Sequence, residues 1–544
     1  MDSHSLTFIR RLRALEYARP LDCFVGNRIG LEKESLRVSP AGQIAATPHP
    51  GALGSPLTHP HITTDFSEAL IELVTPALGE QQAVLDFLAD IHTLVYRHLG
   101  DELLWGTSMP CVIAGTSRIP LARYGSSNAA TMKTVYRRGL GNRYGRTMQV
   151  IAGVHFNFSF GDDFWRLYQD QEGDPEPLGL FRSESYIAMI RNLQRIGWLV
   201  PYLFGASPAV CGSFLHGRET NLIPFDAQTF YDPYATSLRM GDIGYQNQKE
   251  QGTGMKASYD SLDAYIRSLT WAIETPCPQY EQIGVKVGGH YQQLSAAVLQ
   301  IENEYYSTVR PKQIIDWLEK PTLALRRRGV RYVELRSLDV NAYEPIGVGA
   351  EQLLVLETLM LYCLLADSPR IGATERRAID ENQVVTAHRG RQPGLTLNRH
   401  GEAVELRQWA GEILDAMLPV AALLDGVAAG PRGASLLAQR EKVRDPDATP
   451  SARMLAEMRA NGEGFFDFAR RVSAAHRATL ERRTLSAERE ALFRDLAAES
   501  HCRQREIEAA DDLDFETFLQ RYFDQGRAIQ TESAPADSAQ HHSR

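Results

Sequence analysis

The 544 residues predict a mixed α+β fold, in which several acid-bearing strands are followed by a long helical part. Three observations carry that expectation. Residues 30–38 (GLEKESLRV) and 330–338 (VRYVELRSL) read as strands, and side chains two apart on a strand share a face. Glu32 and Glu34 therefore point one way, and so do Tyr332, Glu334 and Arg336. Residues 149–160 alternate cleanly, with Val150, Ala152, Val154, Phe156 and Phe158 opposite Gln149, Ile151, Gly153, His155, Asn157 and Ser159. From about Leu406 to Asp524 the chain is charged, alanine-rich and helical in spacing.

The first strand sets the question. Two neighbouring carboxylates on one face repel each other and lose hydration if covered. A solvated strand tolerates this; a covered one needs a cation, and paired hard oxygens suit Mg²⁺ or Mn²⁺. Residues 39–60 form a Pro/Gly/His-rich connection, 62–66 a strand end and turn, and 70–75 an apolar strand whose one acid is Glu72. Glu72 is either the wet side of an edge strand or a buried acid. Asp65 reads first as a helix N-cap, because Ser67-Glu68-Ala69 can open a helical turn. Residues 80–100 form a helix by the spacing of Val84, Leu85, Phe87, Leu88, Ile91, Leu94 and Val95.

Residues 121–147 are polar, aromatic and rich in Gly and Asn, with Tyr124, Tyr136 and Tyr144 beside Lys133, Arg137, Arg138 and Arg143. They read as a long mobile loop, either over an active site or as an ordinary insertion. On the 149–160 strand, Gly153 leaves room for close approach near His155, itself otherwise an ordinary hydrogen-bonded strand histidine. Residues 184–195 are helical. Gly205-Ala206-Ser207-Pro208-Ala209 looks superficially like a nucleophile elbow, but Pro208 has no N–H to give an oxyanion hole, which excludes a serine hydrolase of that type. Gly252–Lys256 lacks the Gly-Lys-Ser/Thr ending of a phosphate loop. A helix is expected over 258–274, a strand bearing Glu302 and Glu304 over 296–304, and an apolar helix over 349–367. Glu334 and Arg336 read either as a same-face ion pair of about 0.2–1 kcal/mol or as a metal ligand beside a phosphate-binding cation.

Composition excludes several classes. Net charge is −9, without a Lys/Arg run, so neither a nucleic-acid surface nor an anionic-membrane surface is indicated. Cys23, Cys111, Cys211, Cys277, Cys363 and Cys502 are scattered without a C-x-x-C, which fits a reducing cytoplasm and argues against a zinc knuckle. Arg10, Arg11 and Arg13 are followed by no apolar run, so the N-terminus reads as an amphipathic helix rather than a signal peptide. The uncharged stretch 196–216 is broken by Pro201, Pro208 and three glycines, and reads as buried and loop-rich rather than membrane-spanning. Residues 525–544 are polar and expected to be disordered. No internal repeat is present.

Glu32, Glu34, Asp65, Glu72, His155 and Glu334 lie on segments spread over 300 residues of sequence. If the strands form one antiparallel sheet, their polar faces meet around divalent cations, without which five covered carboxylates would be prohibitive.

At this point the motifs identify a family. GLEKESLRV, HPGALGSPLTHPHITTDFSEALIELVTP, SMPCVIAG, LARYGSSNAATMKTVYRRGLGNRYGRTMQVIAGVHFNFS, GWLVPYLFGASPAVCGSF, PYATSLRMGDIGY, LQIENEYYSTVRPK and YVELRSLDVNAYEPIGV closely resemble proteobacterial glutamate–cysteine ligase, in order and with similar spacing over about residues 20–400. The resemblance implies a glutamine-synthetase-like antiparallel sheet forming a metal-lined cavity, surrounded by helices. It implies one catalytic domain over 1–525 (sheet core about 20–400, helical part about 403–525) with a disordered tail over 526–544. It further implies a cytoplasmic, monomeric enzyme with small-molecule substrates and neither nucleic-acid nor membrane partners. ATP would phosphorylate the γ-carboxylate of glutamate, and the cysteine amine would displace phosphate, the first step of glutathione synthesis. By similarity Glu34, Asp65 and Glu72 hold a Mg²⁺ or Mn²⁺ near glutamate. Glu32, His155 and Glu334 hold one on the ATP phosphates, and Arg239 and Arg336 stabilise the transferring phosphoryl group. Phe66, Tyr136, Leu140, Gln149, Tyr245 and Tyr306 match the cysteine pocket. Two other readings stay open. One is a related carboxylate–amine ligase with another amine acceptor. The other is a non-catalytic binder of nucleotide or glutamate, which would be expected to have lost metal carboxylates that are all present here.

Overall fold

A computed structural model of the chain describes residues 3–18, 21–111, 114–215, 219–244 and 255–526. Its largest sheet has seven strands: β1 (Arg28–Val38), β2 (Ile62–Thr64), β3 (Leu70–Val74), β4 (Leu103–Leu104), β5 (Gly153–Ser159), β6 (Val309–Lys312) and β7 (Tyr332–Asp339). The order is β6-β7-β5-β1-β3-β2, with β4 on the C-terminal end of β1, and every pairing is antiparallel. β1, eleven residues long and almost wholly buried, is long enough to pair with β5 through its first half and β3 through its second.

The two faces of the sheet differ because the strands alternate. Leu31, Leu73, Val154, Phe156, Phe158, Val333 and Leu335 are buried in a core that runs from Leu12 to Phe493. Helices Gln81–His98, Leu178–Ile196 and Ala350–Leu365 pack on one another and on the sheet. Lys33 points the same way as Leu31 and is buried; its amine bonds the Ser35 hydroxyl, and burial without a nearby acid lowers its pKa to about 7. The acids Glu32 and Glu34 face the other side.

Most expected elements form. The N-terminal helix (Ser3–Tyr17), the helix after residue 80, the apolar helix and six C-terminal helices (Leu406–Asp425, Pro431–Arg444, Pro450–Asn461, Phe465–Glu481, Ala487–Ala509, Phe515–Asp524) are all present. The stretch after Ile196 is broken into short pieces and largely buried, and no described helix is long and apolar enough to cross a membrane.

Four expectations fail, each for a physical reason. Residues 121–147 are no loop: Asn128–Tyr144 is a helix, begun by the Ser127 side chain accepting from Ala130 N. Its polar side chains hid it, because they bond elsewhere in the fold rather than solvent. Residues 296–304 form no strand; Glu302–Glu304 is a 3₁₀ turn whose acids bond inward to Thr322 and Arg143. Asp65 is no N-cap. Its N–H donates to Leu70 O (2.9 Å) and Leu70 N–H to Ser67 O (2.8 Å), closing a β2–β3 hairpin instead of a helix. The strand read over 149–160 starts only at Gly153, after a 3₁₀ turn.

Two further points went unread. β3 lies inside the sheet, so Glu72 is not on an edge strand. Cys111 and Cys211, 100 residues apart, form a disulfide, which corrects the reading of all six cysteines as scattered thiols of a reducing compartment. The glycine-bearing stretch up to Gly254 and the tail from Arg527 lie outside the described residues.

Candidate active site

β1 is the floor of the site. Across it, Glu32 faces His155 on β5 and Glu34 faces Glu72 on β3. His155 Nδ1 lies 3.1 Å from Glu32 Oε2 and 3.5 Å from Glu334 Oε1, and its Nε2 lies 3.9 Å from Glu34 Oε1. One ligand atom each from Glu32, His155 and Glu334 fall within 4.8 Å of one another. Asn157 Nδ2 donates to Glu32 Oε1 (2.8 Å), and Gly153 N to Glu34 Oε2 (2.7 Å), so the carboxylates are oriented by the sheet itself. Between Leu335 and Leu338 a β-bulge sets Arg336 and Ser337 against the single residue His155. Arg336 shares the face of Glu334 by alternation, and its Nη1 donates to Glu334 Oε1 at 2.7 Å.

The two halves of the cluster differ electrically. Burial pushes Glu334 up, but Arg336, Lys312 and His155 outweigh it and hold its carboxyl well below the usual range. Glu32 is lowered in the same way, burial being outweighed by the hydrogen bond to His155. Glu34 and Glu72 move up instead, first by burial and then by acidic neighbours: Asp65 for Glu34, and Glu32, Asp65 and Glu34 for Glu72. In the Glu34–Asp65–Glu72 half, His155, Arg239 and Arg336 act on Glu34 and Arg137 on Glu72 without offsetting burial, and Arg137 comes no nearer than 3.9 Å to the Asp65 carboxylate.

A cavity of about 720 Å³ opens over this cluster. Glu34, Asp65, His155, Arg239 and Arg336 line it together with Tyr136, Leu140, Gln149 and Tyr306. Glu32 and Glu334 sit directly beside His155, and Glu72 lies opposite Glu34. Phe66 is buried behind the lining, close to Gly141, and does not border the cavity. Tyr245 lies outside the described residues.

Several groups escaped the sequence reading. Arg310 borders the cavity, and Lys312, two residues on along the edge strand β6, puts its Nζ 3.4 Å from Glu334 Oε2. Their R-x-K alternation was a usable signal. Arg143, bonded to Glu304 (2.9 Å) and Gln293 (2.9 Å), lies on the helix mistaken for a loop.

The donor set fits hard divalent cations, being carboxylates plus one imidazole. Buried atoms without hydrogen-bond partners point the same way: the Nε atoms of Arg239, Arg310 and Arg336. Buried polar groups are seldom left so, and three guanidinium donors facing an acid cluster suit an anion bridged to it by cations.

Fold and site together define an enzyme that handles anionic reactants over an antiparallel sheet. The glutamate–cysteine ligase family model matches residues 12–385, and the chain belongs to that family. It is 48% identical over 521 residues to the glutamate–cysteine ligase of Alcanivorax borkumensis, covering 94% of this chain and 99% of the relative. It is 45% identical to that of Pseudomonas aeruginosa PAO1, covering 94% and 97%. The glutamate–cysteine ligase of Francisella tularensis, solved in complex with AMP, superposes with a TM-score of 0.87 at 33% identity, over 92% of this chain and 98% of that one. The bifunctional glutathione synthetase of Pasteurella multocida shares the fold, with a TM-score of 0.70 at 22% identity, over 89% of this chain and 58% of that one.

Proposed function

We propose that the acidic cavity holds two divalent cations between ATP and glutamate, and that the helix-lined end beside it receives cysteine. The reaction is ATP-dependent formation of γ-glutamylcysteine, the first step of glutathione synthesis. Glutamate and the γ-phosphate are both anions, so their approach needs countercharge and alignment; Mg²⁺ or Mn²⁺ supplies both when bound. Glu34, Asp65 and Glu72 hold the cation nearer glutamate. Glu32, His155 and Glu334 hold the one nearer the phosphates. The observation that carries this is the electrical asymmetry: in one half of the cluster the neighbouring cations outweigh burial, whereas in the other they do not.

Arg239 and Arg336 take the charge that moves with the phosphoryl group, and Arg310 and Lys312 extend that row along the nucleotide. The γ-carboxylate oxygen bonds to phosphorus as the β–γ bridge breaks and ADP leaves. The cysteine nitrogen then bonds to the γ-carbon, phosphate departs, and the amine loses a proton. Phe66, Tyr136, Leu140, Gln149, Tyr245 and Tyr306 form the cysteine pocket, Phe66 from behind. With ATP as co-substrate, the enzyme works in the cytoplasm.

The test is ADP release with glutamate, with and without cysteine, alongside mass detection of the product and a panel of other amines. Cysteine should give the dipeptide and the highest kcat/KM. A better turnover with another amine would reassign the acceptor.

A further inference from the structure

Arg239 is held by an acid that none of the chemistry above uses. Asp339 ends β7, opposite Gly153 in the ladder, and is 1% exposed. Its Oδ2 accepts from Ala206 N (2.8 Å) and Ser207 Oγ (2.8 Å), and its Oδ1 from Ser237 Oγ (2.9 Å). One carboxylate thereby ties the segment after helix Leu199–Phe204 to the turn Leu238–Met240 that carries Arg239. The same two segments also meet through Leu238 N to Ser207 O (2.7 Å). Arg239 Nη1 lies 3.6 Å from Asp339 Oδ1, and Asp339 is the carboxylate within 4.0 Å of Arg239 among the described residues.

The rest of the guanidinium is fixed by the sheet. Its Nη2 donates to Arg336 O (2.9 Å), and it fills the space over Gly153, where a Cβ would fall 2.1 Å from Nη2. Asp339 thus supplies countercharge and position without using the Nε–H, which stays buried and unpartnered. An arginine so held loses little freedom when it engages a ligand.

We infer that Asp339, through Ser207 and Ser237, is the positioning residue that aims Arg239 at the transferring phosphoryl group. This rests on the role given to Arg239 above. Because that group carries its charge only as transfer proceeds, misaiming Arg239 should lower kcat rather than raise KM for cysteine.

The experiment is a double-mutant cycle on the full chain, with Asp339→Asn made alone and with Arg239→Lys. Asn keeps one acceptor and the size, and removes the charge. Asp339→Asn should lower kcat about 10- to 100-fold, the range typical of residues that orient a ligand-binding group. KM for cysteine and the thermal midpoint should stay close to those of the unaltered enzyme, and on the Arg239→Lys background the change should cost less than about twofold. Unchanged kcat in Asp339→Asn overturns the inference. So does an equal loss on both backgrounds, which would make Asp339 merely structural. Full kcat in Arg239→Lys would remove the role assigned to Arg239 and the inference with it, a distinguishable result. Should Asp339→Asn fail to fold, Ser237→Ala and Ser207→Ala on the same two backgrounds decide the matter by the same criteria.

Discussion

At the scale of single residues, the site is a problem of charge. Glu34 faces Glu72 across the sheet, and both are raised, first by burial and then by acidic neighbours, among them Asp65. Glu34→Gln keeps an acceptor for Gly153 N and removes only the charge. Turnover should fall about a hundredfold or more while circular dichroism stays unchanged, in keeping with the cost of losing one charge-stabilising group. Near-normal turnover would take Glu34 out of the cation site. Much of this was legible: alternation alone puts Glu32 with Glu34, and Glu334 with Arg336. It could not show that this face is covered, since the covering side chains come from a helix and loops elsewhere in the chain. Arg310 and Lys312 carry an R-x-K alternation, but on a strand of only four residues.

At the scale of elements, the helix Asn128–Tyr144 matters most. It brings Tyr136, Leu140 and Arg143 to the cavity and is anchored by Asp511, whose carboxylate accepts from Asn128 Nδ2 at 2.6 Å. Its buried face is not apolar in the usual way. Arg143 stacks 3.9 Å from the Tyr280 ring centroid, and Lys133 and Arg137 lie over Tyr124. A helix whose inner side bonds polar partners has no 3.6-residue hydrophobic signal, so the sequence reads as a loop. The Ser127 cap is the local clue that survives. Ser127→Ala should destabilise the first turn by about 1 kcal/mol, which speeds hydrogen exchange at residues 130–134 about fivefold. Unchanged exchange there would mean that Asp511, not the cap, holds the helix start.

At the scale of the whole molecule, buried titratable groups set the response to pH. His49, His59 and His476 are pushed down to about 4 by burial, with neighbouring cations adding to it. Their unfolded value is about 6.5, so between about 6.5 and 4 the unfolded chain binds more protons. That stability is complete above the upper value and lost as pH falls through the lower one. Glu34 and Glu72, raised in the folded state, act oppositely: without a cation they weaken the fold as pH rises past the ordinary carboxylate range. The thermal midpoint should therefore drop from pH 6.5 to 4, less steeply in His59→Gln. Added Mg²⁺ should raise it more at pH 7 than at pH 5. A midpoint flat across the acid window, or an equal Mg²⁺ effect at both values, would contradict these signs.

Periodicity and residue type were enough by themselves to place β1, β3, β5 and β7, most helices and the acids that one face of the sheet presents, because each is a local property of a few neighbouring side chains. The motifs determined the family. Only the tertiary structure decided that the acids gather beside one cavity, lined by Glu34 and Asp65, that Asn128–Tyr144 is its helical wall, that Cys111 meets Cys211, and that Asp339 stands behind Arg239. Those depend on which distant segments touch, and burial and charge, not local pattern, choose among the possible contacts.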